Sequence, residues 1–244
     1  DSSQQPHVEN CFMRTQKNPN ILQIQRNSPD YPARLLDLYD PPNSLYIYGD
    51  IRLLNAPTIA IVGSRVASPE GVKNAHHFAQ ALSAEGYLIV SGLARGIDGA
   101  AHLGALGPNR KHPTLAVCGT GLDIVYPREH LGLAQAIGDA GLLVSELAPG
   151  SGPKAWHFPR RNRIIAALSI GILVVEAAER SGSLITARLG CELGREIFAI
   201  PGSIDSPLKK GCHQLLQQGA KLVQSPKDIL EELPKWSKTR FKGI

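Results

Sequence analysis

The stretch Lys154-Ala155-Trp156-His157-Phe158-Pro159-Arg160-Arg161-Asn162-Arg163 gathers four cations, a histidine and two aromatic rings without an acid. No Asp or Glu occurs between Glu146 and Glu176. Cations neutralise phosphates, the arginine fork grips them through paired hydrogen bonds, and aromatic faces stack on bases left open in a single strand. A duplex hides those faces, so the mixture points to single-stranded nucleic acid. The competing reading is a solvated basic helix start with Trp156 and Phe158 tucked into a core. Helix order favours the first. Residues 162–168 have the pattern of a helix whose opening turn carries the arginines, and a positive dipole end disfavours cations unless an anion is present.

Three glycine-containing turns follow apolar runs: Gly63-Ser64-Arg65, Ser91-Gly92 through Arg95-Gly96-Ile97-Asp98, and Gly119-Thr120-Gly121-Leu122-Asp123. In a parallel sheet such turns share one edge, where glycine lets backbone N–H groups approach a ligand and helix N-termini favour anions. Arg65 and Arg95 are the candidate charges there, although turn geometry alone also asks for glycine. Ser181-Gly182-Ser183 opens another helix and can cap it while offering hydroxyls and N–H groups to a phosphate. Lys209-Lys210, after a further apolar run, can reach the same edge.

Covalent chemistry finds no such support. Neither GxGxxG nor GxxxxGK[ST] occurs, and no GxSxG elbow surrounds Ser181 or Ser183. Glu146 and Glu176 both fall at strand ends, but a metal nuclease wants several acids around its phosphate and this edge is dominated by cations. His102, His130, His157 and His213 lack ligand spacing, as do Cys11, Cys118, Cys191 and Cys212. We therefore expect no catalytic residues, no metal and no cofactor.

The elements that must position these residues recur from Thr58 onward. Apolar runs at 58–62, 87–90, 114–117, 142–144, 172–175, 197–200 and 221–223 alternate with amphipathic stretches at 69–85, 97–106, 129–140 and 183–193. That rhythm predicts an α/β, doubly wound, mostly parallel sheet with helices on both faces. Residues 1–50 read as a lead-in whose prolines break helices, 51–225 as the main domain, and 226–244 as a short helical, charged tail. A net charge of +5 over 244 residues permits a nucleic-acid partner without demanding one. Scattered cysteines suit reduced thiols in the cytoplasm, and no apolar run is long enough for a membrane.

Together these motifs resemble the DNA-processing proteins called DprA or Smf. The matching residues are Gly63-Ser64-Arg65, Ser91-Gly92 through Asp98, Gly119 through Asp123 with Tyr126-Pro127, and Phe158-Pro159-Arg160-Arg161-Asn162-Arg163. Val175-Glu176-Ala177, Ser181 through Ala187, Gly194-Arg195, Pro201-Gly202 and Gly211 through Ala220 continue the series in family order. The resemblance implies an extended Rossmann-like fold, a homodimer, single-stranded DNA binding and an interaction with RecA during natural transformation and recombination. It places Arg65 and the 158–163 segment in the strand-binding pocket. Members often add an N-terminal helical domain, of which residues 1–30 are at most a remnant, and a C-terminal winged-helix-like domain for which the tail has no room. The alternative is a nucleotide-processing enzyme, phosphoribohydrolase-like, on a related fold. Its PGGxGTxxE stretch has only a partial counterpart in 118–123. A purely structural assembly module would leave the cationic segment unexplained.

Overall fold

The computed structural model describes residues 20–233. Strands β1 (Leu22–Gln25) and β2 (Ser44–Gly49) precede β3 (Thr58–Val62), α1 (Pro69–Ala84), β4 (Leu88–Ser91), α2 (Ile97–Leu106) and β5 (Thr114–Val117). Then come α3 (Leu131–Ala140), β6 (Leu142–Ser145), α4 (His157–Leu168), β7 (Gly171–Val174), α5 (Gly182–Glu192), β8 (Glu196–Ala199), α6 (Lys210–Gln217), β9 (Lys221–Leu222) and α7 (Pro226–Glu232). The nine strands form one sheet in the order β1-β2-β6-β5-β4-β3-β7-β8-β9. From β6 to β9 every pairing is parallel, while β2 joins β6 and β1 joins β2 antiparallel.

Burial on both faces explains the unbroken apolar runs. All five residues of β3 are buried, and its side chains alternate between layers as strand geometry requires. Ile59 and Ile61 pack with α1, α2 and α7, whereas Ala60 and Val62 pack with α4, α5 and α6. The chain lays down β3, β4, β5 and β6 outward in one direction, then returns to the other side of β3 with β7. That reversal opens a crevice at the carboxyl ends of β3 and β7, the place where open α/β sheets bind ligands.

The sheet runs continuously across the boundary placed at residue 50, because β1 and β2 from the expected lead-in extend it past β6. Their signal is weak in sequence: β2 buries only Leu45 and Ile47 on one face, and β1 only Ile24. The expected helical remnant at 1–30 lies largely outside the described residues, as does the tail beyond Leu233. Helix α4 starts at His157, five residues ahead of the pattern, with Pro159 tolerated because first-turn N–H groups need no intrahelical partner. Its last carbonyls are held by arginines from two other segments. Arg34 donates to Leu168 O (2.7 Å) and Ala56 O (2.6 Å), and Arg195 donates to Ala167 O (2.8 Å) and Asp37 (2.8 Å). Cations there also oppose the negative end of the helix dipole.

One glycine fixes the meeting of two turns. Gly96 has φ +71° and ψ −121°, and a Cβ on it would lie 2.3 Å from Ser64 O. Gly96→Ala should cost at least about 2 kcal/mol through strain and collision, read as a lower urea midpoint with an unchanged m-value.

Candidate nucleic-acid interface

A cavity of about 510 Å³ occupies the crevice, bounded by the turn after β3, the start of α4 and the loop between β7 and α5. The first wall is held from both sides. Ser64 N–H donates to Glu176 O (2.8 Å), Ser64 O accepts from Ile97 N–H (3.1 Å), and Ser68 caps α1 through Gly71 N–H (3.0 Å). The Glu176 carboxylate is buried and accepts from the Ser68 N–H (2.9 Å) and hydroxyl. Arg65 stands beyond this anchored turn, exposed, with no ion pair among the described residues. Its guanidinium lies 5.3 Å from the centre of the Phe158 ring, a cation–π arrangement.

The opposite wall is the N-terminus of α5. Ser181 accepts from Ser183 N–H (3.3 Å) as its cap, and the two hydroxyls lie 2.7 Å apart. Ser181, Gly182 and Ser183, at the start of an eleven-residue helix, all line the cavity, which places the positive end of the helix dipole there. Arg180, absent from the expected set, also lines this wall, exposed and without an ion pair among the described residues. A lone arginine beside an acid, Glu179, carries little signal in sequence.

Helix α4 distributes its cations quite differently from the expectation. Arg161 is buried at 5% exposure, and its Nη1 donates to the carbonyls of Gly92 (2.7 Å) and Val117 (2.6 Å) while Nε donates to Asn162 (3.1 Å). It ties the ends of β4 and β5 to α4 while still lining the cavity. Arg161 thus meets the cavity as a buried guanidinium bonded to backbone carbonyls, not as an exposed cation. Buried Asp98 accepts from Gly92 N–H (3.0 Å) and stands near enough to act on the guanidinium. Burial raises the Asp98 carboxyl above its ordinary range, and the Arg161 charge opposes that rise. The neighbouring Cys118 thiol is pushed up to about 12 by burial, so it stays neutral.

Arg160 and Arg163, one helical turn apart, both pair with Glu146 at the end of β6, and Arg160 also approaches Asp40 at 3.9 Å. The anion that the helix start required is therefore supplied internally. Glu146 and Glu176 are thus engaged with separate partners, one by arginines and one by a helix cap, and form no carboxylate pair. Asn162 lines the cavity and donates to Gly182 O at 3.4 Å. Phe158 is half-buried against Gly119, while Trp156 is 56% exposed rather than part of a core.

The glycines divide similarly. Gly63 lines the cavity, but Gly92 makes room for the Arg161 guanidinium, Gly119 for Phe158 and Gly121 for Ala148 O. Arg95 forms an exposed pair with Glu129. Lys154 is exposed and unpaired among the described residues, and Lys210 is exposed on α6. Lys209 reaches the sheet edge from inside: it is buried, with Nζ donating to Val175 O (3.0 Å), so it is not the exposed cation that a phosphate contact there called for. A long aliphatic stem fills the space over Gly202, and a strand-end carbonyl satisfies its charge. Among the described residues no cluster of His, Cys, Asp or Glu could hold a metal ion, and no helix is long and apolar enough to cross a membrane.

The family model described as DNA recombination-mediator protein A matches residues 23–234. The chain belongs to that family. DNA processing protein DprA of Streptococcus pneumoniae is 50% identical over 202 residues, covering 83% of this chain and 71% of that protein. Protein Smf of Escherichia coli is 47% identical over 218 residues, covering 89% of this chain and 58% of that relative's length. The solved S. pneumoniae protein superposes with a TM-score of 0.84 at 46% identity, over 88% of this chain and 75% of that one. DNA processing protein A of Helicobacter pylori, whose structure concerns its single-stranded DNA binding mode, gives 0.79 at 30% identity over 88% and 95%. A molybdenum cofactor binding protein of Rippkaea orientalis shares the fold, with a TM-score of 0.51 at 18% identity over 72% and 94%. Membership confirms the extended Rossmann-like sheet.

The internal role of Arg161 separates it from Arg65 in a simple experiment. Arg161→Ala should lower unfolding free energy by about 3 kcal/mol, because it strands Asp98 and two carbonyls in the interior. Arg65→Ala should change stability by less than about 0.5 kcal/mol, with both read from urea denaturation.

Proposed function

We propose that the crevice binds single-stranded DNA and that the protein is a non-catalytic recombination mediator that passes the strand to RecA in the cytoplasm. The observation that carries this reading is the cavity itself. Arg65 and Arg180 face it without ion pairs among the described residues, the N-terminus of α5 lines it, and the Phe158 ring lies in the adjoining recess beside Arg65. Phosphates seat between the arginines and the helix N-terminus, and the aromatic ring beside them takes a base. Ser64, Asn162, Ser181 and Ser183 add polar groups at the rim, and Lys154 and Lys210 add charge farther out. Family membership supports the mediator role, and the H. pylori relative described by its single-stranded DNA binding mode supports the ligand. RecA delivery and a homodimer belong to the same reading. The short edge strand β9, with Leu222 48% exposed, is a surface a second copy could extend.

Anisotropy titrations with labelled single-stranded and duplex oligonucleotides at several salt concentrations test this. The wild type should favour the single strand and weaken as salt rises, and Arg65→Ala and Arg180→Ala should each reduce the logarithmic salt slope by about 0.7. Unchanged affinity in both variants would sink the site. Absence of binding at low salt, with base released from nucleoside monophosphates, would bring the phosphoribohydrolase-like enzyme forward.

A further inference from the structure

Beside the main cavity lies a smaller recess of about 30 Å³, continuous with it through Arg65, Ala94 and Arg161. Four side chains from four separate segments edge this recess: Arg65, Phe158, Tyr126 and Arg95. The Arg65 guanidinium lies 5.3 Å from the Phe158 ring centre, and the Phe158 and Tyr126 ring centres lie 5.3 Å apart with planes tilted by 39°. Two neighbouring rings and two arginines thus surround the recess. Tyr126 is 42% exposed although both its neighbours, Val125 and Pro127, are buried. Its backbone is fixed by Ile124 N–H donating to Gly121 O (3.0 Å), Thr120 Oγ1 donating to Ile124 O (2.7 Å) and His130 N–H donating to Pro127 O (3.0 Å). A large ring is therefore held outward on a rigid turn, without a burial role that explains it. Such a ring gives up little conformational freedom when it meets a ligand.

We propose that Tyr126 is a second base platform, so that the bound strand runs from the crevice across Phe158 onto Tyr126 and then meets Arg95. This deepens the single-stranded DNA reading above and rests on it. The two rings adjoin at the recess, so two successive bases of a single strand can each face one of them. Arg95 reaches the following phosphate by exchanging Glu129, its partner in an exposed ion pair, and exposed pairs are held weakly. Because stacking accepts any base, this platform adds affinity and register without sequence preference.

The test uses the full chain, short labelled oligothymidylates and the same oligonucleotides carrying a single abasic site at each position in turn. Tyr126→Ala should weaken binding about tenfold with unchanged thermal stability, and Tyr126→Phe should restore it. One abasic position should cost the wild type affinity and cost Tyr126→Ala nothing further, and it should be adjacent to the position so identified for Phe158→Ala. Wild-type binding that Arg65→Ala weakens but Tyr126→Ala leaves intact would overturn this inference alone. Equal losses in Tyr126→Ala and Tyr126→Phe would also overturn it, since the hydroxyl rather than the ring would then be responsible. Failure of the wild type to bind a single strand would overturn the parent reading and this one with it.

Discussion

A buried guanidinium accepts its desolvation only where hydrogen bonds and an opposite charge replace water, and Arg161 meets both conditions at the centre of this molecule. Its fork takes the carbonyls that end β4 and β5, positions their turns relative to α4, and lies beside the buried Asp98 carboxylate. Phe158 sits one helical turn earlier, with its ring centre 5.8 Å from the same guanidinium. Gly92 has no side chain because one would strike that guanidinium. The crevice floor, the aromatic ring and two of the three glycine turns therefore depend on one internal cation.

Around that strut the positive charge is partitioned. Arg160 and Arg163 are neutralised by Glu146, Arg34 and Arg195 close the far end of α4, and Lys209 is consumed by a strand-end carbonyl. What remains for a ligand is a smaller set, chiefly Arg65 and Arg180 at the cavity with Lys154 and Lys210 farther out. A largely buried pair such as Arg163–Glu146 adds little to anion binding, because a phosphate must displace the carboxylate before it gains the contact. Affinity thus depends on few charges placed well. The switch point between β3 and β7 does the placing, since there a glycine turn and a helix N-terminus face each other across a gap.

Most of the fold was legible as rhythm. Strands buried on both faces leave continuous apolar runs, and the runs at 58–62 and 114–117 coincide with β3 and β5. Helix α2 follows its amphipathic pattern over 97–106, and Ser181 caps α5 as its position suggested. The misses fall at the margins of the sheet. Strands β1 and β2 bury one face at most, and α6, eight residues long behind a proline-containing loop, is shorter than the window over which a helical period is read.

For the crevice, residue type was enough to gather the components. Glycine turns, a serine cap and a basic aromatic stretch are local signals, and Gly63, Ser64, Arg65, Arg161, Asn162, Ser181, Gly182 and Ser183 do meet around one cavity. Which cation is free was not a local property. Arg161 and Arg163 are two residues apart in one helix, yet one is an internal strut and the other an ion-paired arm, because the helix turns them towards different strand ends. Arg180 and Tyr126 gained their places from chain segments that meet them only after folding. Sequence fixes the chemical identity and the period of these groups, whereas burial and pairing are set by residues far away along the chain. The charge that a ligand meets is therefore a tertiary quantity.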